Sequence, residues 1–152
     1  MVEIKVQKSV WINLPAEDIF GYVCDLENME DWSSSTISIR KTSPGEMGVG
    51  AIVRSTIRFL GRWLNVLFEI VEYSPGRCLT FKSIAGSPPC LFRYRFEALE
   101  GGGTTASEEA MVQIVGGIID QESRVIASAV ARQIEYDLQT LKEILESGLV
   151  IS

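Results

Sequence analysis

The sequence predicts an α+β domain: a seven-stranded antiparallel sheet wrapped around one long C-terminal helix, with two short helices after strand 1. Three observations predict this class. Apolar and polar residues alternate over about eighty residues from Thr36 onward, which is the period of half-buried strands. The connections within that stretch are short and rich in Gly and Pro, as between neighbouring antiparallel strands. From Asp120 onward the apolar residues follow a helical period instead.

The chain opens on a strand that is followed by the two short helices. Apolar side chains recur at even positions from Ile4 to Ile12, which indicates a strand with one apolar face. Pro15 lies where a helix tolerates proline, in its first turn, and acidic residues follow at the positive end of the helix dipole. Asp25 is a candidate cap for a second short helix, which ends at Trp32 before three serines.

Six further strands and the long helix complete the predicted order. Turn signals separate the strands, which we expect at residues 36–42, 51–60, 63–73, 78–84, 90–99 and 104–115. The last helix is predicted over residues 121–146, with Asp120 as its N-cap and Gly148 as its stop.

Length and charge narrow the class of protein. The 152 residues predict one domain, residues 1–152, that is large enough to bury a core. Its formal net charge is −6 and its basic residues are scattered, so nucleic acid and anionic membrane surfaces are expected to be poor partners. No apolar run is long enough for a membrane span, and the first residues alternate instead of forming a signal peptide. We therefore expect a cytoplasmic protein.

Composition also excludes several kinds of chemistry. The chain has no histidine, so Ser-His-Asp and Cys-His catalysis and histidine-ligated metals are excluded. Its three cysteines have neither CxxC nor zinc-ligand spacing, and no metal site is expected. The glycine-rich GGGT and GEMGVG are not followed by helices, so they are interpreted as turns and not as phosphate or dinucleotide loops. No cofactor is predicted.

Strand parity assigns an apolar inner face and a charged outer face to the sheet. In the segment 51–60, for example, Ser55 lies on the inner face and Arg54 on the outer face. The segment 63–73 is apolar on both faces, so it requires either a bulge or burial on both sides. Within it Phe68 and Ile70 are assigned inward.

One carboxyl interrupts the apolar inner face. Parity in the last strand places Glu108 inward and Glu109 outward. A buried carboxylate costs free energy unless it is paired, protonated or hydrated. Two interpretations stay open: Glu108 is a polar hook or general acid/base for a ligand, or a bulge turns it to solvent. If it is buried, we expect it to be partly protonated or bonded to water or to the hydroxyl of Ser55 or Tyr94.

Five motifs in order along the chain resemble the START-like or SRPBCC superfamily, and within it the polyketide cyclase/dehydrase-like proteins. They are SVWINLPAEDIFGYVCDLENMEDW, GVGAIVRSTIRF, VEYSPGRCLTF, GGGTTASEE and DLQTLKEILES. The resemblance implies the helix-grip fold, in which the sheet and the C-terminal helix enclose a cavity for a hydrophobic small molecule. The first motif would close one end of that cavity.

Such a cavity would make the inner-face residues ligand contacts. The predicted binding residues are Trp32, Ser55, Ile57, Phe59, Phe68, Phe81, Phe92, Tyr94, Phe96, Glu108 and Ala127. Trp32 is interpreted equally well as a core anchor. Glu108 is also the candidate catalytic residue.

The expected function is binding of a hydrophobic small molecule, such as a lipid, quinone, sterol or polyketide, between the sheet and the C-terminal helix. The alternative is an enzyme similar to polyketide cyclases, aromatases or dehydratases, which acts without histidine or metal. Binding is favoured because one acid is the only catalytic candidate. The family also contains protein-maturation and chaperone-cofactor modules, so a protein partner is a second alternative.

Overall fold

The structure of the protein is a computed structural model that describes residues 2–114 and 120–148, with the side chains of residues 2, 120 and 121 left out. Strand β1 (Val2–Ile12) leads into helix α1 (Ala16–Cys24), a single 3₁₀ turn (Leu26–Asn28) and helix α2 (Met29–Trp32). The elements that follow are β2 (Thr36–Lys41), β3 (Ile52–Phe59), β4 (Arg62–Ser74), β5 (Cys78–Ala85), β6 (Cys90–Ala98), β7 (Thr104–Ile114) and α3 (Asp120–Glu146).

The seven strands form one antiparallel sheet in the order β1-β7-β6-β5-β4-β3-β2. Consecutive strands from β2 to β7 are neighbours, and β1 pairs with β7. The first and second strands therefore lie at opposite edges of the sheet. Helices α1 and α2 connect these two edges, which explains why two short helices stand between two strands. The predicted fold class is confirmed.

The predicted boundaries agree with the structure to within one or two residues, except where they fall outside it. Residue 115 lies outside the described residues, and the proposed cap by Asp120 lies outside the described side chains. Gly148 follows α3 with φ +71°, a conformation that suits a helix stop. Asp25 occupies the N-cap position of the 3₁₀ turn as predicted, but its side chain makes no capping bond; its carbonyl accepts the Asn28 N–H at 2.9 Å.

Strand β4 contains the irregularity that its sequence requires. Its register against β5 shifts between Ile70 and Glu72, so one extra residue, Val71, bulges there. The bulge lets both Ile70 and Tyr73 lie on the inner face, opposite the buried side chains of β5. Phe68 is inward as predicted. The bulge therefore accounts for the apolar Tyr73 at an odd position of this strand.

Helix α3 is anchored to the sheet mainly through its second half. There Leu138, Leu141 and Leu145 are buried, and near the helix end Glu146 Oε2 accepts the Asn13 N–H at 2.9 Å. In the first half the apolar residues that face the core are only partly buried; they are Ile126, Ala127, Val130 and Ala131. The helix therefore covers one end of the sheet tightly and the other end loosely. No helix in the described residues is both long and apolar enough to cross a bilayer.

This difference between the two halves predicts unequal stability effects. Leu141→Ala should lower the free energy of unfolding by about 2 to 5 kcal/mol, because it leaves a cavity in a packed site. Ile126→Ala should lower it by about 1 kcal/mol or less, because that side chain is already partly exposed. Urea unfolding followed by circular dichroism measures both. Equal losses would show that the first half of α3 packs as tightly as the second.

Candidate functional site

An interior cleft lies between the concave face of the sheet and helices α2 and α3. It consists of two adjoining spaces with a cavity volume of about 50 Å³ each. Val130, Ile134 and Asp137 of α3 border one space, and Met29 of α2 borders the other. The residues that line both spaces are Ser35, Ile57, Phe92 and Glu108. Ligand sites for drug-sized molecules usually measure about 300 to 1,000 Å³, so a ligand of that size requires this cleft to widen.

Aromatic side chains from β4, β5 and β6 form the wall of the cleft on the sheet side. Phe68 meets both Phe81 and Phe92 edge to face with ring centroids 6.0 Å apart, and Phe81 meets Tyr94 in the same way at 6.0 Å. Aromatic pairs favour this geometry because the positive ring edge points at the negative face. The wall is apolar except for the Tyr94 hydroxyl.

The structure brings most of the predicted binding residues to the cleft. Those that line it are Ser55, Ile57, Phe59, Phe68, Phe81, Phe92, Tyr94 and Glu108. Three predicted residues lie elsewhere. Phe96 packs edge to face on Phe20 of α1 at 5.9 Å, and Ala127 is partly buried in the loosely packed half of α3. Trp32 is 1% exposed and packs on Tyr94 at 5.8 Å.

Trp32 lies outside the cleft and packs against Tyr94, a residue that lines it. Within the described residues, its indole N–H is the one fully buried side-chain polar atom that has no hydrogen-bond partner. An unpartnered buried donor costs about 1 to 3 kcal/mol, so the packing of the large ring must offset that cost. This places Trp32 in the role of a core anchor that holds the Tyr94 ring.

Glu108 faces the cleft from the centre of β7. It pairs in regular register with Lys8 on one side and with Tyr94 on the other, and it is 6% exposed. The interpretation in which a bulge turns Glu108 to solvent is therefore wrong. Burial raises the pKa of this carboxyl, the charge of Asp137 raises it further, and a side-chain hydrogen bond with Tyr94 opposes the rise; the pKa becomes about 8.

Asp137 of α3 is a second buried acid that the sequence analysis missed. It lines the cleft together with Glu108 and is 3% exposed. Burial raises its pKa, while hydrogen bonds from Ser34 favour the ionised form; the Ser34 N–H donates to Oδ1 at 2.9 Å. The sequence contained a signal, because Asp137 follows Ile134 by three positions and precedes Leu141 by four, which puts it on the apolar face of the helix.

The two inward acids differ in their hydrogen-bond partners, and within the described residues neither has a cation partner. On the outer face Glu109 accepts a hydrogen bond from Arg93 at 2.9 Å, whereas no Lys or Arg of the described residues forms an ion pair with Glu108 or Asp137. Burial raises the pKa of both carboxyls, and the charge of Asp137 further raises the pKa of Glu108. The hydrogen bonds from Ser34 act in the opposite direction on Asp137 alone, so the environments of the two acids in the cleft differ.

Residues 3–146 match the protein family described as polyketide cyclase / dehydrase and lipid transport. The chain belongs to this family. Both activities in its description concern hydrophobic small molecules, so family and fold together suggest hydrophobic-ligand binding or a cyclase-like role. Among curated proteins, none matches the sequence.

Solved structures show the same fold at low sequence identity. A START superfamily protein from Mycobacterium smegmatis has a TM-score of 0.79 at 15% identity, covering 93% of this chain and 99% of that one. The Zhui aromatase/cyclase from a Streptomyces species has a TM-score of 0.78 at 16% identity, covering 98% and 97%. A protein of Thermus thermophilus has a TM-score of 0.79 at 19% identity, covering 96% and 99%.

The raised pKa of Glu108 predicts a pH-dependent stability. Between the usual value of 4.5 and about 8 the folded state keeps a proton that the unfolded state releases, so the free energy of unfolding should fall as pH rises through this window, by up to about 1.4 kcal/mol per pH unit. Glu108→Gln should remove most of this slope. Urea unfolding from pH 5 to 9 measures this slope, and no histidine titrates in that range because the chain has none.

Glu109→Gln is the matched control, since it changes the neighbouring acid on the outer face and should leave the slope in place. A slope that survives in Glu108→Gln would show that Glu108 is not the group that titrates.

Proposed function

We propose that the protein binds a hydrophobic small molecule with a hydrogen-bond acceptor, such as a carbonyl oxygen, in the interior cleft. The observation that carries the proposal is Glu108, a buried carboxyl that keeps its proton near neutral pH and faces the cleft beside the aromatic wall. A protonated carboxyl can donate one hydrogen bond, and a carbonyl of the ligand can accept it. The rings of Phe68, Phe81 and Phe92 would contact the apolar part of the ligand, with about 25 cal/mol gained per Å² of apolar area buried.

The loosely packed half of α3 provides the way to widen the cleft. Ala127 and Ala131 present small side chains there, and Ile126 and Val130 are only partly buried. Displacement of this half breaks few apolar contacts, whereas the second half is held by buried leucines. We infer that ligand uptake moves the first half of α3 away from the sheet.

Two dyes can test the role of Glu108. Nile red carries a carbonyl group, and diphenylhexatriene is a pure hydrocarbon. Glu108→Leu should weaken Nile red binding about tenfold or more, because the ligand acceptor loses its donor in a buried site, and should leave diphenylhexatriene binding equal or tighter. Glu108→Gln should retain most Nile red binding because its amide still donates. Fluorescence titration measures each dissociation constant.

Glu109→Leu, on the outer face of the same strand, is the control and should bind both dyes as the wild type does. If Glu108→Leu binds Nile red normally, Glu108 has no role in ligand recognition. Failure of the wild type to bind either dye would contradict the proposed function itself.

A second function, acid/base chemistry on the bound ligand, is favoured by the position of two buried acids, Glu108 and Asp137, on the same space of the cleft. In such a step the Asp137 carboxylate would remove a proton from the carbon next to the ligand carbonyl. Glu108 would donate its own proton to the carbonyl oxygen, and an enol would form. Ring closure and dehydration of polyketide-like chains begin with this kind of proton transfer.

Proton exchange can detect this chemistry without knowledge of the natural substrate. We expect the wild type in D₂O to accelerate exchange of the methyl protons of acetonaphthone, an aryl methyl ketone, as followed by NMR. Asp137→Asn and Glu108→Gln should each remove the acceleration, and Glu109→Gln should not. If the wild type binds the ketone but does not accelerate its exchange, the enzymatic alternative fails and the binding function stands.

A further inference from the structure

The two acids of the cleft border one space from two different elements. Glu108 reaches it from β7 on the sheet side and Asp137 from α3 on the helix side, and both are buried. A buried carboxylate is costly when no positive charge lies beside it. The space therefore presents two groups whose ionised forms a cation would stabilise.

Among the described residues, the chain pairs its outer acids with cations but not these two. On the outer face of the sheet, Arg93 forms an ion pair with Glu109 at 2.9 Å. On the concave face, Lys8 lies opposite Glu108 in register, and directly opposite residues share a face. The Lys8 ammonium nevertheless pairs with Glu135 at 3.5 Å. Even the lysine that could neutralise Glu108 is thus used elsewhere.

The rest of the lining favours an organic cation over a metal ion. Mg²⁺ and Ca²⁺ take about six to eight oxygen ligands, whereas the described residues contain no group of three His, Cys, Asp or Glu that could hold a metal. Phe92 borders the same space as the two acids, and aromatic rings attract cations through their faces. The lining therefore suits a ligand with a positive group and an apolar body.

We propose that the cleft also binds hydrophobic amines in their protonated form, with the ammonium group between Glu108 and Asp137 and the apolar part against Phe92 and the rest of the aromatic wall. An ammonium has three N–H donors, so it can donate to both carboxylates at once. Its charge also offsets the repulsion between them. This second ligand class rests on the proposed function, because the same cleft has to widen for it.

Binding of an amine should release the proton of Glu108. Burial and the charge of Asp137 raise the pKa of Glu108 to about 8, and an ammonium beside the carboxyl lowers that pKa. Below pH 8 the amine has to displace this proton, so its affinity should rise with pH by up to about tenfold per pH unit. The amine itself stays charged in this range, as lysine does with its usual pKa of about 10.4.

Four other charged or titratable side chains border this space or face Glu108. Burial raises the pKa of Tyr94 well above its usual value of 10.0, so its hydroxyl stays neutral. Burial also raises the pKa of Asp137, which adds to the proton release if this acid holds a proton. Arg58 borders the space but is exposed, so solvent and salt screen its repulsion of an amine. Lys8 is held by Glu135.

A matched pair of probes tests the inference. Naphthylethylamine carries the ammonium group, and propylnaphthalene is a hydrocarbon of similar shape. Isothermal titration calorimetry at pH 8 should show that the wild type binds the amine at least about tenfold more tightly than the hydrocarbon, because a charged hydrogen bond forms in a buried site. At pH 7, titrations in phosphate and Tris, which differ in ionisation enthalpy, should show about one proton released per amine bound.

The acids are then replaced one at a time by amides. Glu108→Gln and Asp137→Asn should each weaken amine binding at pH 8 about tenfold, and Glu108→Gln should also remove most of the proton release. Both variants should bind propylnaphthalene as tightly as the wild type or more tightly, which shows that the cleft is intact. The controls Glu109→Gln on the outer face of β7 and Glu143→Gln on the exposed face of α3 should bind the amine as the wild type does.

The inference and the proposed function can fail separately. Equal wild-type affinity for the two probes at pH 8 would overturn the inference, and so would a preference for the amine that survives in both acid variants. A wild type that binds Nile red but not the amine would contradict this inference alone. Absence of binding to Nile red and to diphenylhexatriene would contradict the ligand-binding function on which the inference rests.

Discussion

The concave face of the sheet has to be covered, and α3 is the one long helix in the described part of the chain that covers it. The helix is bound tightly only through its second half, where Leu138, Leu141 and Leu145 are buried. Helix α1, which begins three residues after Asn13, covers the same end of the face through Phe20 against Phe96. The unfilled space that remains between β3–β7 and the first half of α3 is therefore a consequence of how the helix is anchored.

The electrostatics of the cleft follow from this burial. On the outer face of β7 the neighbouring carboxyl, Glu109, forms an ion pair with Arg93 at 2.9 Å. Glu108 faces an aromatic wall and lies near Asp137, so its ionised form is disfavoured by burial and by the second charge. Replacing a buried acid of this kind with a hydrophobic residue often stabilises a protein. The two buried acids of this cleft are therefore candidates for a functional role and not for a stabilising one.

The cleft places two acids, Glu108 and Asp137, among mainly apolar side chains. This arrangement suits both proposed functions, ligand binding and proton transfer. Binding requires only the donor on Glu108, whereas proton transfer also requires the carboxylate of Asp137. The small volume of the two spaces, about 50 Å³ each, means that either function requires the cleft to widen, and we propose that the first half of α3 moves to widen it.

The sequence by itself determined the order of the elements and the antiparallel pairing, because both depend on local periodicity. Parity placed Glu108 inward but left open a bulge that would turn it to solvent, and only the regular register of β7 excluded that bulge. The β4 segment showed where this fails, because a bulge at Val71 changes the parity within one strand. Apolar residues at both odd and even positions can indicate that a strand is irregular, but they do not show which residue bulges.

Only the tertiary structure decided which residues from different elements meet. It brought Asp137 of α3 to Glu108 of β7, and it turned Trp32 into a support behind Tyr94 instead of a cleft wall. These contacts depend on the relative position of the helix and the sheet. That position is set by packing between residues far apart in the chain, and local periodicity carries no information about it.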